Sequence, residues 1–143
     1  APFACGEAAL ALAALDEYEV LYPLRRGGFN LVGSAGTGAN GHPSRPYSAQ
    51  QVRDALQRLW EFAIFDLLEV SSEELNSMGV LLIVRDGYVR REVKDMLDVL
   101  AAIGFGALAV HLRSACACLG AGVQSACVVD VDSDTVEVSA VDD

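Results

Sequence analysis

The sequence predicts an α/β fold: strands alternate with helices in a largely parallel sheet that finishes in a hairpin. Three observations carry this. Two short continuous apolar runs, GVLLIV (79–84) and ALAV (107–110), are too short for ordinary helices and read as strands buried on both faces. Apolar residues recur at helical spacing before the first run and between the two. After them, SACVVDV and TVEVSAV read as two strands joined by a turn at Asp132-Ser133-Asp134. Strands separated by helices imply parallel pairing, whereas a tight turn implies an antiparallel one.

The elements follow in order. The first thirty residues are rich in Ala and Leu, and the alternation at Glu19-Val20-Leu21-Tyr22 suggests a short strand. Pro23, which has no N–H to donate, limits its pairing. LVGSAGTGANGHPSRPYS follows; residues 31–47 are expected to form a flexible insertion loop, because Gly, Ser, Ala and Pro dominate and no periodicity appears. Its glycines do not make a phosphate loop, since no Lys occurs in the stretch and no Gly-Lys-Ser/Thr ending closes it. Ser48 stands three residues before Gln51, a capping-box pattern. Val52, Leu56, Leu59, Ala63 and Leu67 then form a helical stripe flanked by Ala55, Trp60 and Ile64. Arg53, Asp54, Gln57, Arg58 and Glu61 fill the opposite face.

SSEEL, from Ser71, starts a short helical turn with two acids at its favourable N-terminal end. Arg85-Asp86-Gly87 breaks the first apolar run. A second helix runs from about Val89 to Ile103 on the stripe Val89, Val93, Met96, Leu97 and Leu100, with Gly104 as its stop. RSACACLGAG is small-residue-rich and reads as a tightly packed helix ending at Gly120 or Gly122.

At 143 residues, with 52% hydrophobic and 21% charged residues, the chain suits one domain with ample core material. It begins Ala-Pro-Phe without an initiator Met, so a piece of a longer protein or a processed form is expected. Ten Lys and Arg face twenty Asp and Glu, for a net charge of −10. Such a surface repels phosphate backbones, so this segment is not expected to bind nucleic acid directly. The opening apolar stretch lacks a basic leader and carries Glu7, unlike a signal peptide, and no run reaches membrane-span length. Cys5, Cys116, Cys118 and Cys127 lie in apolar contexts without zinc-finger spacing and are expected as buried free thiols. His111 reads as a core or strand-end histidine, Trp60 as core, and His42 and Arg25-Arg26 as solvated. The mixed-charge face of YVRREVKDMLD suits solvent or a partner.

Asp130, Asp132 and Asp134 raise the question of a metal. They fit the first three ligand positions of a calcium loop, but Thr135 replaces the required glycine and Val141 the bidentate glutamate. Flanking strands also replace the expected helices, so calcium is not predicted.

Several stretches together resemble the actin superfamily, and within it a nuclear class of actin-related proteins. GEAAL is similar to a Gly-Asp/Glu-Glu-Ala motif and YPLRRGGFN to a Tyr-Pro-Ile-x-x-Gly motif. VLLIVRDGY and GFGALAVHLRSACACLGAGV resemble the central strands and the helix ending in small residues. CVVDVDSDTVEVSAVDD resembles the second phosphate loop and the strand after it. The resemblance implies that residues 1–143 form a partial actin-like, ribonuclease-H-related ATPase lobe, comprising the sheet of subdomain one and the end of subdomain two, with a mainly parallel sheet and flanking helices. It implies a nuclear protein that serves as a structural subunit of a chromatin-remodelling complex. Its partners would be the subunits of that complex, with nucleosomes and histones reached through it, and no membrane.

The resemblance also assigns the turn. In actin-like ATPases this loop reads Asp-x-Gly-x-Gly: glycine backbone approaches the phosphates and the aspartate works with the nucleotide's metal. Asp130 matches that aspartate, whereas Asp132 and Asp134 replace the glycines. Each adds a side chain and a negative charge; like charges about 4 Å apart at an effective dielectric near 20 repel by roughly 4 kcal/mol. The position of the water-orienting glutamine falls on Arg113, which has no acceptor atom. Asp130, Asp132 and Ser133 are therefore the candidate cofactor-contacting residues of a degenerate phosphate loop. No catalytic or metal-ligating residue is expected, and ATP with Mg2+ only in the full-length protein.

Overall fold

The computed structural model describes residues 3–12, 20–25, 27–31, 47–133 and 135–142. A short helix, α1 (Glu7–Leu12), precedes a small antiparallel hairpin of β1 (Leu24–Arg25) and β2 (Gly28–Phe29). The expected strand before Pro23 is not formed at Val20–Tyr22, and Glu19 lies outside the described residues. Pairing begins after the proline instead, because the turn is made by Gly27 at φ +70, a left-handed conformation that costs glycine nothing. Asn30 closes the arrangement, its N–H donating to the Pro23 carbonyl at 3.0 Å. Of the expected insertion loop, residues 32–46 lie outside the described residues, as do His42, Arg26 and Asp134.

Helix α2 (Ala49–Glu61) begins at the predicted capping box. The Ser48 hydroxyl accepts from Gln51 N, and the Gln51 side chain accepts from Ser48 N at 2.9 Å. The helix then widens into a π-helical segment, Phe62–Leu67, in which Leu68 N–H reaches the Ala63 carbonyl at 3.0 Å. Val52 and Leu56 are fully buried, while Leu59 and Leu67 of the predicted stripe are exposed. The wider turn rotates residues after Glu61 away from the stripe that a regular helix would continue.

Helix α3 (Ser72–Leu75) carries a second capping box between Ser71 and Glu74. Strand β3 (Gly79–Val84) pairs in parallel with β4 (Ala107–Leu112) across six residues, from Gly79↔Ala107 to Val84↔Leu112. Helix α4 (Arg90–Ile103) makes the crossover and stops at Gly104. It buries Val93, Met96, Val99 and Leu100; Leu97 is half-buried and Val89 exposed. The approach of β4 is tight: a Cβ on Gly106 would lie 2.0 Å from the Asn76 carbonyl oxygen.

Helix α5 (Arg113–Ala121) follows β4 directly and ends at Gly122. Strands β5 (Ala126–Val131) and β6 (Val136–Val141) form the expected antiparallel hairpin.

The core unites Phe29, Val52, Leu56 and Met96, with Trp60, Leu82, Leu31 and Tyr47 packed against it. Trp60 is thus at the edge of the core. Among the described residues β3 and β4 pair in parallel through a helical crossover, and the other two pairs are antiparallel because short turns connect them. One expectation is corrected. The strands are not buried on both faces: Leu81 and Ile83 are about half exposed and β4 is exposed throughout. A continuous apolar run marks a strand with two faces to cover, and here α4 and α5 cover only part of them. The cysteines differ similarly. All four are free, but only Cys118 is buried, Cys5 and Cys116 are intermediate and Cys127 is exposed. His111 sits one residue from the end of β4 and is exposed.

Candidate functional site

The β5–β6 register places Asp130 directly opposite Glu137. Both lie on the half-buried face of the hairpin, where two like charges across a strand pair repel. Two arginines from other elements resolve this. Arg113, the first residue of α5, donates from Nη1 to Asp130 Oδ2. Arg85, immediately after β3, donates from Nη1 to Glu137 Oε1 at 3.3 Å. The helix that carries Arg113 starts where β4 ends, so the parallel β3–β4 pair delivers both arginines to the same side of the hairpin.

Arg113 stands at a helix N-terminus, where the backbone dipole disfavours a cation. Asp130 outweighs that. Its hydrogen bond to Arg113 raises the guanidinium pKa above the ordinary arginine value, partly opposed by desolvation, with further attraction from Asp130, Glu137 and Asp132. Next to it, buried Ser114 donates its hydroxyl hydrogen to Asp86 Oδ1. Asp130, Glu137 and Asp132 thus all act on the Arg113 guanidinium, while Arg85 holds Glu137. The Arg85–Glu137 pair leaves Arg85 Nε and Glu137 Oε2 buried without partners.

The turn is closed on itself. Asp132 N–H donates to the Thr135 carbonyl at 2.9 Å. Ser133 N–H donates to the Asp132 carboxylate at 2.7 Å, a bond between neighbouring residues that holds the carboxylate against the backbone of the turn. Of the candidate residues read from the sequence, Asp130 sits on β5 while Asp132 and Ser133 form the turn; Arg113 is joined to Asp130 as its charge requires. Arg85 and Glu137 were not anticipated. The turn expected at 132–134 would have set Asp130 against Val136; the observed connection is one residue longer, 132–135, and that shift brings Glu137 opposite Asp130.

No family model matches the chain. It is 32% identical to actin-related protein 8 of Bos taurus over 142 residues, 99% of this chain and 21% of that protein. It is 34% identical to actin-related protein 8 of Danio rerio, again over 99% of this chain and 21% of that protein. A solved structure of human actin-related protein Arp8 in its ATP-bound state superposes with a TM-score of 0.79 at 32% identity, covering 96% of this chain and 26% of that one. The chain belongs to the actin superfamily. The MreB5 structure of Spiroplasma citri bound to ADP shares the fold alone, with a TM-score of 0.59 at 18% identity over 98% of this chain and 37% of that one. This actin-fold segment spans about a fifth of the length of the curated relatives it matches, and its helices with parallel and antiparallel pairs constitute a partial domain.

The actin fold implies a nucleotide and its metal, and the turn can be tested for both. The N–H groups of Asp132 and Ser133, which a phosphate loop would offer to oxygen, are taken by Thr135 and by the Asp132 carboxylate. The Asp130 carboxylate is taken by Arg113. As arranged, these residues do not fit a phosphate with a divalent cation.

Proposed function

We propose that the parent protein is a nuclear actin-related protein, a structural subunit of an ATP-dependent chromatin-remodelling complex whose own ATPase activity is lost or weak. The similarity to actin-related protein 8 supports the class. The observation that carries the loss of catalysis is the Arg113–Asp130 ion pair beside the self-closed turn. Arg113 presents only donors, so it does not accept a hydrogen from an attacking water. Asp132 adds a side chain and a negative charge where an actin-like phosphate loop has glycine. Partners are then proteins of the complex, with nucleosomes reached through them, since the chain's net charge of −10 disfavours direct contact with nucleic acid. A second reading, ATP held without turnover, is favoured by the ATP-bound state of the similar human structure.

The test uses the full-length protein. Nucleotide extracted from the purified protein is identified by chromatography and phosphate release is followed over time. The expected outcome is bound or absent ATP with no sustained release, together with nuclear fluorescence of a tagged copy and co-sedimentation with a remodelling motor. Steady turnover, or salt-dependent filaments in a pelleting assay, refutes the scaffold reading.

A further inference from the structure

Every described carboxylate around the turn already has a proton-bearing partner from the chain. Asp130 bonds Arg113, Glu137 bonds Arg85, Asp86 accepts from Ser114, and Asp132 accepts from Ser133 N. A divalent cation binds carboxylate oxygens that are free to turn toward it. Arg113 is permanently charged, its fork matches a carboxylate, and its proton is held more tightly by the surrounding acids. We propose that Arg113 is the resident cation of this turn: it occupies the Asp130 carboxylate in place of a divalent metal, so that no Mg2+ site forms there in the intact protein. The proposal rests on reading the turn as a degenerate phosphate loop, and it deepens that reading by naming the residue that displaces the metal. Arg85 acts beside it by holding Glu137, the other carboxylate facing the same position.

The probe is Mn2+, titrated into the full-length protein with and without ATP and counted by electron paramagnetic resonance. In the wild type, Asp130→Asn changes neither the number nor the affinity of bound Mn2+. Arg113→Gln frees Asp130 and gains a Mn2+ site, which is lost again when Asp130→Asn is added. A wild-type Mn2+ site that Asp130→Asn abolishes overturns the proposal. So does a folded Arg113→Gln protein that gains no site. If Arg113→Gln fails to fold, the wild type against Asp130→Asn decides alone. Steady phosphate release without a metal at Asp130 would sink the scaffold reading and leave this inference standing. A metal at Asp130 in a catalytically silent protein would do the reverse.

Discussion

Replacing Gly27 with alanine should be felt in the distant β5–β6 hairpin. Gly27 sits at φ +70, and a Cβ built there lies 2.6 Å from Arg85 Nε and 2.8 Å from Arg85 Cδ. The left-handed backbone alone costs an alanine about 1–2 kcal/mol. Arg85 must also move, because separations under 3 Å are not tolerated, and it is tethered by its 3.3 Å bond to Glu137. Both partners of that pair are only 22% exposed. Losing a charged hydrogen bond in such a setting costs about 1.5–3 kcal/mol, and Glu137 would keep neither oxygen bonded. The sum is roughly 2.5–5 kcal/mol. In an Arg85→Ala background the collision is gone, and Gly27→Ala should cost only the backbone share. Native-state hydrogen exchange of amides 126–141 in the full-length protein reads the effect in both backgrounds, as a double-mutant cycle. Equal costs in the two backgrounds would show that Gly27 and Arg85 do not communicate and would refute the reasoning.

The remaining predictions concern packing and caps. Leu56→Ala removes three fully buried carbons, at least about 2.4 kcal/mol from transfer, and up to about 5 kcal/mol if the cavity does not collapse. Exchange of α2 amides checks it against Leu59→Ala, which at 38% exposure should cost much less. Ser48→Ala removes half of the capping box and should destabilise α2 by about 1 kcal/mol, seen as faster exchange at Gln51. Glu74 is held below the ordinary glutamate pKa by hydrogen bonds from Ser71. Its contribution is therefore present above the unfolded-state pKa and lost as pH falls through the lower folded value. Acid titration by NMR should show the Ser71 amide losing its partner in that window, and not in a Glu74→Gln protein.

Local signals were legible where the interaction is itself local. Ser48 and Gln51 meet within one turn, and so do Ser71 and Glu74, so spacing alone announces both caps. The α4 stripe followed from periodicity at Val93, Met96 and Leu100, although Val99 was missed. The β1–β2 hairpin was not anticipated: the alternation before Pro23 suggested a lone short strand, and pairing begins only behind the proline, around Gly27. The π-helical segment had no comparable signature, since one altered hydrogen-bond step leaves the residue types unchanged. Exposure of β3 and β4 was misjudged for a different reason: an apolar run states how many faces need covering, not which neighbour covers them.

The turn shows how far sequence reaches into the site. Asp130, Asp132 and Ser133 were found because they lie within four residues and share one motif. Arg85 and Glu137 are 52 residues apart, and nothing in either neighbourhood names the other. A cross-strand rule would have bridged the gap. It applies only with the observed connection, residues 132–135, because a turn at 132–134 would set Asp130 against Val136; in the observed register Asp130 and Glu137 face each other, and two carboxylates so placed call for cations from outside the hairpin. The chain has few such cations to offer, ten in all. One stands where β3 ends and one where β4 ends, and parallel pairing carries both to the same side. The repulsion within the hairpin thus explains why arginine occupies position 113, where an actin-like ATPase would need an acceptor. On the proposed scaffold reading, the side chain that stands in place of a catalytic acceptor is the one that neutralises Asp130, so a single residue would link the electrostatics of the fold to its chemistry.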